Sequence, residues 1–183
     1  MADYRKESAI DRDDRLDYGY TKGGAIAEKA TVFVEERTKE QGVRSGYSFQ
    51  AGRGKDPFSE EEPIWVDAAS LVWWAFHHSG IDLRGGSEGM SAWTIERDLR
   101  LRTVFGYGQK SSQLFKSMKR GDLVWFNTYG RNTHIGIYTG RGRFISCSGS
   151  GSKKEGPNAG IIEQSMAGGP WLKSFRGLVK RLE

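Results

Sequence analysis

The fold of this chain is decided by the stretch Val66-Asp67-Ala68-Ala69-Ser70-Leu71-Val72. Small residues follow the acidic Asp67, and apolar residues then recur at helical spacing as far as Gly80, namely Leu71, Val72, Ala75 and Phe76. An acidic residue before the first periodic residue and a glycine after the last one are typical signals of a helix start and a helix end. The stretch therefore predicts a buried helix with an acidic N-terminus.

Two further blocks of sequence lie downstream of this helix. The first is Lys119-Arg120-Gly121-Asp122-Leu123-Val124-Trp125-Phe126. The second is His134-Ile135-Gly136-Ile137-Tyr138-Thr139-Gly140, followed by Arg143-Phe144-Ile145-Ser146. Short apolar runs between glycine-rich turns are typical of strands. Helices followed by a series of strands predict an α+β architecture.

In this order, the three blocks resemble the NlpC/P60 cysteine peptidases. The stretch at 67–72 is similar to the family's Asp-Cys-Ser-Gly-Leu-Val, the stretch ending at Phe126 to its Leu-Lys-Pro-Gly-Asp-Leu-Val-Phe-Phe, and the stretch at 134–140 to its His-Val-Gly-Ile-Tyr-x-Gly. Weaker matches at Tyr47-Ser48-Phe49-Gln50 and at 171–182 extend the resemblance over roughly residues 25 to 182. The resemblance implies a papain-like fold and hydrolysis of peptide stems in peptidoglycan.

The resemblance also implies a catalytic site. Ala68 stands where the family has its nucleophilic cysteine, in the first turn of the helix, where free N–H groups and the helix dipole favour a thiolate. Alanine cannot act as a nucleophile. His134 occupies the position of the general base, which takes the thiol proton and later delivers it to the leaving amine.

Two further residues, Ser146 and Tyr47, are candidates for supporting roles, and each has an alternative interpretation. Family members carry His, Asn or Gln as the third catalytic residue, and Ser146 stands at that position, where either its hydroxyl or a nearby backbone carbonyl could orient the imidazole. Tyr47 is a candidate for an oxyanion site together with the N–H of position 68, or a core aromatic residue. Strand alternation turns Cys147 to the face opposite Ser146, which favours a small buried residue over a nucleophile.

The predicted fold has N-terminal helices packed on an antiparallel sheet of about five strands. Helices are expected from Gly23 to about Gln41 and from Ser87 to Leu101, the second with Trp93, Ile95 and Leu99 available to the core. The expected strands are Leu123–Phe126, His134–Tyr138, Arg143–Ser148, Gly160–Glu163 and Phe175–Leu182.

The chain divides into an arm and one domain. Residues 1–22 are rich in charge and poor in apolar residues, which predicts a solvated arm or linker. Residues 23–183 form the predicted catalytic domain. Within it, the loop-rich stretch 43–66 is expected to shape one wall of the cleft.

Composition limits the function classes. The net charge of +5 favours anionic surroundings such as bacterial cell wall, nucleic acid or a phospholipid surface, and charge alone does not choose among them. The spread of Lys and Arg along the whole chain argues against a nucleic-acid binder. A single cysteine leaves neither an internal disulfide nor a cysteine-rich zinc site, and we expect no cofactor or metal. No apolar run approaches the length of a membrane span, and the charged N-terminus does not resemble a signal peptide, so we expect either a fragment of a longer chain or export by another route. We therefore expect a location at the bacterial cell wall or on a phage virion, in a phage tail or a secreted wall-hydrolase assembly.

Two functions remain in competition. The first is a peptidoglycan peptidase whose nucleophile has been replaced by alanine. The second is a natural pseudoenzyme that binds wall peptides in the same cleft without cutting them. The presence of His134 and Asp67 favours the first, since a cleft without catalysis has little need of an imidazole at that point. The bond that would be cut is left open.

Overall fold

The computed structural model describes residues 21–106, 114–128, 130, 133–149 and 159–183. Helix α1, Lys22–Glu35, begins at Thr21, whose hydroxyl accepts a hydrogen bond from the Gly24 N–H. It ends earlier than predicted, because the side chains of Arg37 and Thr38 donate to the free carbonyls of Phe33 and Glu35. A separate 3-10 turn, Lys39–Gln41, follows. Of the predicted arm, residues 1–20 lie outside the described residues.

A small parallel sheet leads into the buried helix. Strand β1, Ser45–Tyr47, pairs with β2, Ile64–Val66, so that Tyr47 lies opposite Val66. Helix α2, Ala68–His78, follows directly, and all its residues from Ala68 to Phe76 are buried. This confirms the buried helix that the sequence predicts.

The segment after α2 differs from the prediction. In place of one helix over 87–101 there are α3, Gly86–Gly89, α4, Ala92–Glu96, and the strand β3, Leu101–Phe105. The Ser91 and Thr94 side chains form a capping box that starts α4 anew. The Asp98 carboxylate accepts from the N–H groups of Arg84 and Arg100, which turns the chain before β3.

This turn also changes the predicted core. Ile95 is buried as expected, but Trp93 is 52% exposed and Leu99 is 95% exposed. The Trp93 ring instead lies under the Arg97 guanidinium, 3.2 Å from the ring centroid. Periodicity alone does not separate these positions from the buried one.

The main sheet has six antiparallel strands, one more than predicted. The additional strand is β3, which pairs with the last strand. In the order β3-β8-β4-β5-β6-β7, the other strands are β4, Leu123–Phe126; β5, His134–Gly140; β6, Arg143–Ser148; β7, Gly160–Ser165; and β8, Phe175–Leu182. Two short helices complete the described fold: α5, Leu114–Ser117, and α6, Gly169–Ser174.

The sheet separates two apolar clusters. On one face, α2 packs against strand residues that include Ile135, Ile145 and Cys147. On the other face lie Phe126, Phe144 and their neighbours, with Trp171 of α6 packed against them. Alternation along each strand thus sends neighbouring residues to different surroundings. Within the described residues, no helix has the length and apolar character that crossing a membrane requires.

Candidate active site

The N-terminus of α2 is held by a reciprocal cap. The Asp67 carboxylate accepts from the Ser70 N–H at 2.8 Å, and the Ser70 hydroxyl accepts from the Asp67 N–H at 2.9 Å. Ala68 is therefore the first residue of a helix whose N-terminus is capped, and it is 6% exposed. The position that the resemblance assigns to the nucleophile lies in the first helical turn, where backbone N–H groups favour an anion.

A loop from the 43–66 segment holds Asp67 from the other side. The Arg53 guanidinium makes a two-pronged ion pair with both carboxylate oxygens, at 2.8 and 3.2 Å, and the Gln50 N–H donates to the same carboxylate at 3.0 Å. Sequence reasoning missed Arg53. It lies 14 positions from Asp67 in a loop without periodicity, so no local pattern connects the two residues.

His134 and Ser146 lie next to each other on neighbouring strands. Nε2 of the imidazole is 2.9 Å from the serine Oγ, and both side chains are buried. Burial lowers the pKa of His134 to about 4, and the Asp67 carboxylate acts in the opposite direction. The ring is therefore neutral near pH 7, and a neutral imidazole is the form that can accept a proton.

Two aromatic rings lie close to the His134 imidazole. The Trp171 ring lies 4.7 Å from it, centroid to centroid, with a tilt of 33°, and the Phe126 ring lies at 6.0 Å. Trp171 also meets Phe126 and Phe144, each at 5.1 Å. The His134 ring thus contacts the cluster on the sheet face remote from the body of α2. No sequence signal pointed to Trp171 as a neighbour of His134.

Residues 45–179 match the NlpC/P60 family. The chain belongs to the NlpC/P60 family. This confirms the resemblance that the three sequence blocks indicate, together with the α+β fold that it implies.

Individual relatives agree with the family assignment. The chain is 34% identical over 139 residues to the peptidoglycan DL-endopeptidase CwlO of Bacillus licheniformis, an alignment that covers 76% of this chain and 25% of that protein. The chain thus spans about a quarter of the length of this curated relative.

Solved structures show the same fold. NlpC2 of Trichomonas vaginalis superposes with a TM-score of 0.56 at 18% identity, covering 92% of this chain and 50% of that one. RipD of Mycobacterium tuberculosis, described as a non-catalytic NlpC/p60 domain protein with an adaptation to peptidoglycan-binding function, superposes with a TM-score of 0.52 at 14% identity, covering 86% and 98%.

In this NlpC/P60 domain, the remaining site candidates occupy the elements around Ala68. Tyr47 ends β1 opposite Val66, two positions before Ala68, and packs against the main core cluster, half-buried. Its part in an oxyanion site stays a prediction. Cys147 is fully buried, and its thiol donates to the Val66 carbonyl at 3.3 Å. Burial raises the pKa of the Cys147 thiol, with a smaller contribution from Asp67 in the same direction, which favours the unreactive thiol.

The structure relates the predicted site residues to one another in different ways. His134 and Ser146 are in direct contact, and the charge of Asp67, the chain neighbour of Ala68, acts on the His134 ring. Tyr47 ends the strand that pairs with the strand leading to Ala68. The catalytic roles of these residues stay predictions. The described part of the chain contains no group of three or more His, Cys, Asp or Glu residues that could hold a metal ion.

Proposed function

We propose that this domain is the catalytic domain of a peptidoglycan hydrolase, in a form whose nucleophile position is alanine. The observation that carries the proposal is the buried His134–Ser146 pair, a neutral imidazole held by a hydroxyl beside a capped helix N-terminus. The match to the NlpC/P60 family and the similarity to a peptidoglycan DL-endopeptidase support the choice of substrate. The target is an amide bond in a peptide stem or cross-link.

The proposed reaction is acyl transfer through sulfur. A cysteine at position 68 would give its proton to His134 and attack the amide carbonyl, and His134 would return that proton to the leaving amine. Water then attacks the thioester, with His134 as the base, and releases the acid and the thiol. The N–H of position 68 would donate to the developing oxyanion, with the Tyr47 phenol as a second donor.

The chain as it stands cannot start this reaction, because the Ala68 side chain has neither a lone pair nor a proton to transfer. We therefore expect it to bind wall peptides without cutting them. Its net charge of +5 supports binding to anionic wall polymers at the cell wall. A phage virion or a secreted assembly as the setting stays a prediction.

A second function is a binding domain that never cuts. Ala68 itself favours it, and RipD, described as non-catalytic with an adaptation to peptidoglycan binding, is an example with the same fold. The two functions differ in one respect that an experiment can reach. A catalytic site without its nucleophile should regain activity when sulfur is returned, whereas a binding cleft should not.

The test is to compare Ala68→Cys with Ala68→Ser on purified peptidoglycan, following turbidity and the mass of released fragments. A second control, Ala68→Cys with His134→Ala, removes the base while keeping the thiol. Release by Ala68→Cys alone would support the hydrolase and identify the bond. A folded Ala68→Cys protein with an alkylatable thiol, intact wall binding and no release would overturn the hydrolase in favour of the binding domain.

A further inference from the structure

We propose that Arg53 is a positioning residue for the helix that starts at Ala68: its guanidinium holds both oxygens of Asp67 and compensates their charge beside position 68. This inference deepens the proposed function. The ion pair is directional, because the planar guanidinium meets the carboxylate with two parallel contacts at 2.8 and 3.2 Å. Only 18% of the Arg53 side chain and 9% of the Asp67 side chain are exposed, so the pair is poorly screened by water.

The carboxylate of Asp67 is fully engaged. One oxygen accepts from the Ser70 N–H and from Arg53, and the other accepts from the Gln50 N–H and from Arg53. Two of these donors are backbone groups on different segments, so Asp67 links the loop to the helix. Arg53 supplies the only full positive charge among these donors.

The loop that carries Arg53 is held by one further hydrogen bond from α2 and by one within the loop. The Trp74 indole N–H donates to the Gly52 carbonyl at 2.8 Å, and Arg53 itself donates to the Ala51 carbonyl at 2.9 Å. Gly52 has a φ of +74°, and a Cβ there would lie 2.9 Å from the Ser70 Cβ. The loop therefore approaches α2 so closely that only glycine fits, which sets the position of the guanidinium one residue later.

The charge of Asp67 affects the pKa values of titratable groups on other elements. Burial lowers the pKa of His134 on β5, and the Asp67 charge opposes that shift. Burial raises the pKa of Cys147 on β6, Asp67 adds to that shift, and Lys39 of the 3-10 turn opposes it. A thiol placed at position 68 would be directly adjacent in the chain. A carboxylate at this distance opposes formation of the thiolate, and we infer that the positive charge of Arg53 reduces that opposition.

Arg53 is therefore assigned a role in the electrostatics of the site as well as in its geometry. A merely structural residue would change stability when replaced, but it would not change proton affinities in a direction set by its charge. The distinguishing measurement is thus a titration, which needs no hydrolysis. For this reason the inference and the proposed function can fail separately.

The first experiment introduces Ala68→Cys and follows iodoacetamide alkylation against pH, with and without Arg53→Gln. Cys147 is fully buried and stays outside the reaction. A nearby like charge shifts a pKa by roughly one unit or more, so we expect Arg53→Gln to lower the alkylation rate below neutral pH by about tenfold. The matched control is Arg143→Gln, which removes another arginine–carboxylate pair, with Glu163, and should leave the rate unchanged.

The second experiment is a double-mutant cycle on the chain with Ala68 intact, read by NMR titration of the His134 ring. Arg53→Gln should raise the His134 pKa, Asp67→Asn should lower it, and the two together should bring it back towards the parent value. Arg53→Lys keeps the positive charge but loses the planar guanidinium that makes two contacts with the carboxylate. It should therefore largely preserve the His134 pKa while lowering the stability of the protein. If Arg53→Gln fails to fold, the double variant and Arg53→Lys still decide the question.

Two results would overturn the inference. One is a folded Arg53→Gln protein whose thiol and His134 titrate as in the parent. The other is an Arg53→Lys variant that behaves like Arg53→Gln in both titrations, because charge compensation would then have no part in the effect.

Discussion

His134 and Ser146 are joined by a 2.9 Å contact between Nε2 and Oγ, although they lie 12 positions apart in the chain. A hydroxyl can donate or accept, so this pair is satisfied with the imidazole proton on either nitrogen. Only the tautomer with a proton on Nε2 leaves Nδ1 free to accept one. Serine therefore holds the ring in place but selects the basic tautomer less strongly than an amide oxygen would.

Replacement of Ser146 should separate these two effects. In the Ala68→Cys background, Ser146→Ala should lower the hydrolysis rate by about three- to tenfold, the value of one lost hydrogen bond. Ser146→Asn should retain or raise the rate, because its carbonyl only accepts from Nε2–H. Steady-state rates on wall fragments measure this, with Ser148→Ala on the same strand as the control. If Ser146→Ala, Ser146→Asn and Ser148→Ala all hydrolyse wall fragments at the rate of the Ala68→Cys parent, Ser146 has no role in orienting His134.

Stability should depend on pH through His134. Its pKa is about 4 in the folded protein and 6.5 in the ordinary case, so the unfolded chain binds more protons between these values. The free energy of unfolding therefore rises with pH in this window. The contribution of the neutral His134 ring to that free energy is lost as the pH falls from 6.5 to 4. The contribution should be about 3 kcal/mol, since each pKa unit corresponds to roughly 1.4 kcal/mol.

Urea unfolding at a series of pH values tests this contribution. His134→Gln should unfold with a flatter pH dependence than the parent over that window. Ser148→Ala, on the same strand as Ser146, removes no titratable group, so it is the control and should keep the parental slope. Parallel pH profiles for His134→Gln and the parent would contradict the prediction.

Trp171 should exclude water from one side of the His134 ring and hold the ring in position. Trp171→Ala opens one side of the imidazole to water, so the His134 pKa should rise towards its ordinary value. Trp171→Phe should have a smaller effect. NMR titration measures the shift, and Trp93→Ala, at an exposed tryptophan, is the control. An unchanged His134 pKa in a folded Trp171→Ala protein would remove Trp171 from the site.

Gly52 should tolerate no side chain. Gly52→Ala combines a φ of +74° with a Cβ 2.9 Å from the Ser70 Cβ, and should lower the free energy of unfolding by about 2 to 4 kcal/mol. Gly42→Ala shares the positive φ but has nothing within 4 Å, so it should cost only about 1 kcal/mol. Equal losses in urea unfolding would mean that the loop moves freely away from α2.

Much of the fold was predictable because its signals are local. The apolar spacing from Leu71 to Phe76 and the alternation from His134 to Tyr138 each report on neighbours within one element. The segment 87–101 was predicted wrongly for the same reason. Its apolar spacing suits a helix, but the capping box at Ser91 and the turn at Asp98 divide it, and β8 offers β3 a partner that lies some 80 positions away in the chain.

The sequence by itself determined the family, the buried helix at Ala68 and the candidate roles of His134 and Ser146, because short motifs and periodic patterns record these features. Only the tertiary structure decided that Arg53 compensates Asp67 and that Trp171 covers His134. The physical reason is that both contacts join distant segments. Their energy comes from burial and close approach in the folded chain, which have no counterpart in local sequence spacing.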